Sequence, residues 1–385
     1  MKPKKKYQIV ICSSTFQTIT HGPSKFVYNY FRSCHKSENF ELTVITQDLD
    51  HPHKNVIKLN HEYGRYNGFL WEYLDNFKYY HAIQKLDFEP DLIIFKNAIL
   101  GYWTALKLKT IPVIGFINDD EKLRAGRQFA FFSKQRFHMV KSRFLEKKAA
   151  HHLDLVISNS NHLKDYLVSE YGLKKAKLFT LYKGIDLNYF KFKERNAIRK
   201  KNPIKVLFIK SDAIRGGLVE LCQAIKLLQE FTFEIHVVGN IHRRVRTLIS
   251  NSFPGLKIHF LGPLTQESVL NLMYESHLFC VPALREALGV ANIEALATGL
   301  PVISTSAGGI KEVLNNGQNG YMATPGDSVD LSEKIRKAIE DPELTKQQAI
   351  AGRKYVEEQF DQHEVFKKFT NVMIDVIESR KGHGI

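Results

Sequence analysis

Residues 278–303 read Leu278-Phe279-Cys280-Val281-Pro282-Ala283-Leu284-Arg285-Glu286-Ala287-Leu288-Gly289-Val290-Ala291-Asn292-Ile293-Glu294-Ala295-Leu296-Ala297-Thr298-Gly299-Leu300-Pro301-Val302-Ile303. The apolar run Leu278–Val281 has the pattern of a buried strand. The loop after it gives way to a helix that begins near Gly289 and stops at Gly299, with Pro301 two residues beyond. Val302–Ser304 is the next strand. Strand, helix and strand in this order make one unit of a mostly parallel α/β sheet.

The same stretch carries candidate chemistry. Glu286 precedes the helix and Glu294 lies one to two turns inside it. Leu288, Gly289 and Val290 would supply N–H groups that a first helical turn leaves unpaired, and such a helix end is an anion site. Gly289 lets backbone approach a ligand closely. One short element thus offers donors to a diphosphate and two carboxylates to sugar hydroxyls. From spacing alone, the other reading stands beside it: Glu286 complements the helix dipole and Glu294 sits solvated on the helix face. Ala307-Gly308-Gly309-Ile310-Lys311-Glu312 opens a further helix; it reads equally as a ligand-facing turn or as a tight strand-to-helix connection.

Outward from this stretch, apolar runs alternate with segments of helical period. In the first half the expected strands are Gln8–Cys12, Leu42–Thr46, Leu92–Phe95, Val113–Phe116, Leu155–Ser158 and Phe179–Leu181. In the second they are Lys205–Ile209, Phe233–Val238, Lys257–Leu261, Leu278–Val281, Val302–Ser304 and Tyr321–Ala323. The polar segment Lys191 to Pro203 between the halves reads as a linker. A length of 385 residues suits two domains. We expect an N-terminal one over residues 1–190 and a C-terminal one over 203–360, with a helical tail, 361–385, that crosses back to the first. Two successive α/β patterns imply two facing Rossmann-like sheets whose strand ends aim their loops at a shared cleft.

Composition narrows the class. Hydrophobic residues make up 44% and charged residues 25%, ordinary for a globular chain and unlike disordered or fibrous sequences. Basic residues run from Met1 to Lys6, but the apolar run Ile9 to Cys12 is too short for a signal-peptide core or a membrane span, so a cytoplasmic location is expected. Cys12, Cys34, Cys222 and Cys280 lie far apart and form neither a zinc-type pair nor a disulfide framework. The net charge is +15, and residues 1–190 hold 29 Lys+Arg against 18 Asp+Glu (+11), leaving 26 against 22 (+4) for the rest. That excess calls for an anionic partner of the first half.

Residues 257–345 resemble the donor-binding half of the family 4 glycosyltransferases, which have the GT-B fold. The resemblance rests on Glu286 and Glu294 as a Glu-x7-Glu pair and on the ordered runs "LGPLTQESVLNLMYESHLFCVPA", "IEALATGLPVISTSAGGIKEV" and "NNGQNGYMATPGD". It implies a retaining transferase that uses a nucleotide-diphosphate sugar and needs no metal. Glu286 would contact the donor sugar and Glu294 the ribose hydroxyls. The family's diphosphate-binding Arg-x4-Lys pair falls on Lys210 and Arg215, with the residue types exchanged. Leu288, Gly289, Val290 and Gly308 would approach the donor phosphates and sugar, and Gly239 and Leu264 the base. In the first half only Gly22 matches the family's glycine loop, next to His21. No histidine follows the strand at Val113; Asp119, within Asn118-Asp119-Asp120-Glu121, is our candidate to replace it, although it also reads as an acidic helix cap. From Lys122 to Lys148 nine Lys/Arg and the single acid Glu146 are interleaved with Phe129, Phe131, Phe132, Phe137 and Phe144. Such a block suits an anionic membrane surface as well as a core-facing aromatic stripe. A glycan or lipid-linked acceptor, a role in cell-surface polysaccharide synthesis and a peripheral place at the inner membrane face are the expectations; no nucleic-acid module is present. A nucleotide-sugar-binding module, or another GT-B enzyme such as an epimerase or phosphorylase, is the alternative.

Overall fold

The computed structural model describes residues 6–16, 22–34, 39–49, 53–59, 69–119, 134–198 and 203–382. The chain divides into two compact units, Met1–Tyr182 with Phe366–Ile385, and Lys183–Val365.

The first unit holds the strands β1 (Tyr7–Ser13), β2 (Phe40–Thr46), β3 (Val56–Lys58), β4 (Leu92–Phe95), β5 (Val113–Ile117), β6 (Leu155–Ser158) and β7 (Leu178–Thr180). Helices α1 (Gly22–Cys34), α2 (Phe69–Gln84), α3 (Tyr102–Lys107), α4 (Lys134–His152) and α5 (Asn161–Tyr171) lie between them in sequence. All strand pairs are parallel, in the order β3-β2-β1-β4-β5-β6-β7. Residues Leu92 to Phe95 and Val113 to Ile117 are buried throughout, as strands covered on both faces must be.

The second unit repeats the plan with β8 (Ile204–Ile209), β9 (Phe233–Val238), β10 (Lys257–Gly262), β11 (Leu278–Val281), β12 (Val302–Thr305) and β13 (Tyr321–Ala323). Its helices are α6 (Leu218–Lys226), α7 (Arg243–Ser252), α8 (Gln266–Glu275), α9 (Val290–Ala297), α10 (Ile310–Val313), α11 (Ser328–Glu340) and α12 (Pro342–Gln359). The sheet runs β10-β9-β8-β11-β12-β13, again parallel. The last helix, α13 (Gln362–Gly382), belongs from Phe366 onward to the first unit.

The strands lie within two residues of the ranges read from sequence. β3 is the addition: three residues at a sheet edge, with one buried side chain, too short to show an alternation. The supposed linker is the other difference. Residues 191–198 form no helix or strand, yet the Arg195 guanidinium donates to the carbonyls of Met273 (3.0 Å) and Tyr274 (2.8 Å), which the end of α8 leaves unpaired. Burial pulls the Arg195 pKa down to about 10. Arg353 does the same for α9, donating to Ala297 O (2.9 Å) and to Phe190 O (2.7 Å). Two arginines therefore strap this polar stretch to the second sheet's helices.

In the first unit, α13 closes an aromatic cluster. Phe369 meets Tyr30, Phe26 and Phe116 with ring centroids 5.0, 5.6 and 5.6 Å apart, and Tyr30 Oη shares a 2.8 Å hydrogen bond with Thr370 Oγ1. Phe369→Ala is expected to destabilise this unit by about 3–5 kcal/mol, the usual cost of deleting a buried ring. Urea denaturation should show its transition at a lower midpoint; an unchanged midpoint would mean that α13 contributes nothing to the unit's stability.

Candidate functional site

Strand order in the second sheet reverses between β8 and β11, and open α/β sheets bind ligands beyond the carboxyl ends of their strands at such a reversal. Lys210 follows β8 directly, and residues 282–286 follow β11. The Lys210 ammonium and the Glu286 carboxylate meet in an ion pair across the reversal, with side chains 24% and 18% exposed. The other Glu286 oxygen accepts from the Ala287 N–H at 3.2 Å. Leu284 N–H bonds Arg215 O (2.9 Å) and so holds the two loops together, while Lys210 N–H bonds Val238 O (3.0 Å) at the end of β9. Arg215, half-buried, sits in a turn that Asp212 closes by accepting its N–H at 3.0 Å.

Helix α9 begins where the sequence places it. Gly289 is its N-cap with φ 91°, a left-handed conformation that disfavours any residue with a Cβ. Asn292 N–H bonds back to Gly289 O at 3.0 Å, so Val290 and Ala291 are the amides that the helical ladder does not use. At the other end, Gly299 N–H bonds Leu296 O and Leu300 N–H bonds Ala295 O, each at 3.1 Å, the paired bonds of a Schellman stop. Val290, Ala291 and Glu294 form the half-buried face of α9, while Asn292, Ile293 and Ala295 are buried. Residues four apart share a helix face, and side chains lean towards the helix N-terminus. Glu294 is therefore carried on the side of the Val290 amide. Burial, together with the carboxylates of Glu267 and Glu294, pushes the Tyr189 phenol above its ordinary value, which places Tyr189 in the same neighbourhood.

The next loop supports this one from behind. Gly309 N–H bonds Glu286 O at 3.2 Å, and a Cβ at Gly309 would stand 2.2 Å from Ala287 O. Gly308 is half-buried in this turn, but α10 is a single turn of four residues, so its dipole adds little to an anion site. Gly239 ends β9, with its N–H on Gly262 O (2.9 Å) at the end of β10. Leu264, just beyond, is 37% exposed. The structure thus brings Lys210 and Glu286 into contact, and sets Arg215, Leu288, Gly289 and Val290 in the loops joined to them. Gly239 and Leu264 lie at the ends of the neighbouring strands. A larger cavity of about 730 Å³ lies at the opposite edge of this sheet, where His277 and Pro301 precede β11 and β12. That is the amino end of the strands, away from all of these residues.

In the first unit the order reverses between β1 and β4, and a cavity of about 180 Å³ opens at the carboxyl ends of β1, β4 and β5. Ser13 to Thr15, Lys96, Asn97, Asn118, Asp119 and Glu146 line it. Asp119 is exposed at its rim. Lys96 is buried, its ammonium 3.9 Å from the Phe116 ring centroid and 4.2 Å from that of Phe26. Glu146, also buried, accepts the Tyr171 hydroxyl at 2.8 Å; burial and this carboxylate push the phenol far above its ordinary value. Sequence reasoning missed Lys96 as a site residue and counted Glu146 only as the one acid of a basic block. The available signal was position: a lysine directly after four apolar strand residues stands at the binding edge of a parallel sheet. Gly22 begins α1. His21, Asp120 and residues 121–133 lie outside the described residues. Of the basic block's aromatics, Phe144 on α4 is 62% exposed and carries the Lys148 ammonium 5.4 Å above its ring, so it does not face the core. Among the described residues no helix is long and apolar enough to cross a membrane.

Comparison with known proteins agrees with the fold. Residues 20–189 match the profile described as Glycosyltransferase Family 4, and residues 190–355 that described as Glycosyl transferases group 1. The amylovoran biosynthesis glycosyltransferase AmsK of Erwinia amylovora is 25% identical over 212 residues, 52% of each chain. The N-acetyl-alpha-D-glucosaminyl L-malate synthase of Bacillus anthracis is 30% identical over 152 residues, 40% of this chain and 36% of that one. The chain thus spans about half the length, or less, of these relatives. Among solved structures, sucrose-phosphate synthase from Thermosynechococcus elongatus superposes with a TM-score of 0.80 at 18% identity, covering 97% of this chain and 100% of that one. Anabaena HepE in complex with UDP-glucose gives 0.73 at 18% identity, covering 96% and 99%.

The Gly309 contact is directly testable. Gly309→Ala sets a methyl group against a backbone carbonyl that cannot rotate away, and overpacking of this kind costs about 1–3 kcal/mol. A lowered melting temperature for the second unit is the expected result; a variant that melts like the parent would show that the 283–289 loop is not braced by its neighbour.

Proposed function

We propose, from the premise that this chain belongs to the family 4 glycosyltransferases of the GT-B fold, that it is a retaining glycosyltransferase. Its donor is a nucleotide-diphosphate sugar bound at the carboxyl edge of the second sheet. The observation that carries the reading is the Lys210–Glu286 ion pair at the strand-order reversal. A diphosphate entering beside β8 takes Lys210 as its counter-ion and frees the Glu286 carboxylate to accept hydrogen bonds from sugar hydroxyls. Arg215 supplies a second cation from the same loop.

The reaction needs charge to be stabilised where it appears. As the bond between the anomeric carbon and the β-phosphate oxygen breaks, negative charge collects on that phosphate. Lys210, Arg215 and the Val290 and Ala291 amides offset it. The acceptor hydroxyl attacks from the face the diphosphate leaves, its proton passes to a phosphate oxygen, and the anomeric configuration is kept. Glu294 holds the ribose hydroxyls, and the backbone near Gly239 and Leu264 holds the base. UDP-glucose, the ligand named for HepE, is the first donor to try.

The first unit takes the acceptor in its 180 Å³ cavity, where Lys96, Asn118 and Asp119 line the space and offer polar groups to a hydroxyl. Val140 and Phe144, 47% and 62% exposed and four residues apart on α4, lie among Lys141, Lys147 and Lys148. This mixture favours an anionic membrane surface and a lipid-linked glycan as acceptor, in keeping with polysaccharide synthesis at the inner face of a cell membrane.

Release of nucleoside diphosphate from a panel of nucleotide sugars, with and without glycan or glycolipid acceptors, tests the reading. Lys210→Ala is expected to lower kcat/KM about 10²–10³-fold, the scale of losing one charge-stabilising donor, and Glu286→Gln to lower kcat. If no nucleotide sugar raises the melting temperature and none is turned over, the proposal fails. It fails equally if the Lys210→Ala/Glu286→Ala double variant turns over like the parent.

A further inference from the structure

Glu234, His236 and His259 share one face of the β9–β10 edge of the second sheet. His259 is the register partner of His236, and Lys257 that of Glu234. Residues two apart on a strand point the same way and register partners stand side by side. The segments Glu234-Ile235-His236 and Lys257-Ile258-His259 therefore set four polar side chains in one patch.

Three of these side chains converge. One ligand-capable atom from each of Glu234, His236 and His259 lies within 4.8 Å of the others. His236 Nε2 is 3.9 Å from Glu234 Oε2, and the two imidazole rings stand edge to face with centroids 5.0 Å apart. Ligand atoms on a tetrahedral zinc stand roughly 3.3 Å apart, given bonds of about 2.0–2.2 Å, so side-chain rotations of about 1 Å close the set. All three residues are half-buried, backed by the sheet yet open to solvent.

His236 Nδ1 is buried and has no hydrogen-bond partner, which leaves Nε2, the nitrogen facing Glu234, as the ring's ligand atom. Burial, with His259 and Lys205 nearby, lowers the His236 pKa. Glu234 Oε1 is held by Lys257 at 2.5 Å, leaving Oε2 for a cation. The Lys257 side chain is 60% exposed and can turn outward as a dication arrives.

We propose that Glu234, His236 and His259 bind a divalent transition-metal ion, with zinc the best match, leaving one coordination position open to water. Two imidazoles and a carboxylate are a zinc-type donor set. The ion pins the edge strand β10 to β9. Gly239 lies three residues beyond His236, about 10 Å along the strand, and its N–H joins the ends of the same two strands. The role is structural, takes no part in sugar transfer and holds whether or not the donor reading does.

Tag-free full-length protein, stripped with chelator, is titrated with zinc chloride by calorimetry. One equivalent should bind and raise the melting temperature. Cobalt in its place should give the visible absorption of a tetrahedral site. His236→Ala and His259→Ala should each weaken zinc binding at least about tenfold, the loss expected even for an outer-shell partner, and abolish the cobalt bands. If alanine at His236 unfolds the second unit, His259→Gln on the edge strand carries the same test. Absence of a zinc equivalent in the parent overturns the proposal. So does a folded double variant that binds zinc and gives the cobalt spectrum unchanged.

Discussion

The working edge of the second sheet depends on one electrostatic contact, the meeting of Lys210 with Glu286. A parallel sheet delivers all its carboxyl ends to one edge, and the reversal of order between β8 and β11 leaves the loops of those two strands diverging over a gap. Lys210 reaches into that gap from one side and Glu286 from the other. The backbone makes the contact reproducible, since Leu284 N–H is tied to Arg215 O and Gly309 N–H to Glu286 O. The exchange of residue types also makes sense here. An ammonium is a compact point charge and can meet one carboxylate oxygen, which leaves the second for the Ala287 N–H. A guanidinium fork in the same place would claim both oxygens and compete with that backbone bond.

Most of the fold was legible because its strands are covered on both faces and read as continuous apolar runs. Leu92–Phe95, Leu155–Ser158 and Leu278–Val281 fall where their composition puts them. What escaped is what tertiary contacts decide. The segment 191–198 looks like a loose linker because its polar residues show no period, yet Arg195 caps a helix 78 residues away. The site divides the same way. Gly289 and Gly299 were readable as helix punctuation from local rules. The roles of Lys210 and Glu286 in one donor site came from a family resemblance, because spacing alone left the dipole and solvated-face readings open; their ion pair, 76 residues apart, appears only in the structure. Lys96 and Glu146 were not readable as buried charges, since the Phe26 and Phe116 rings and the Tyr171 hydroxyl that accompany them come from other elements. The alternation of Glu234 with His236 was visible in sequence, but only the strand register sets His259 beside it.

The two sheets share their strand order around the first strand of each, β3-β2-β1-β4 in one and β10-β9-β8-β11 in the other, but place cations at the reversal in physically different settings. Lys210 is part-buried and already paired, so an anionic ligand gains only the difference between its own attraction for the ammonium and that of Glu286. Exchange of partners is then inexpensive in both directions. Lys96 is buried against two aromatic faces. The ring quadrupoles attract the cation there, and the buried Glu146 carboxylate lines the same cavity.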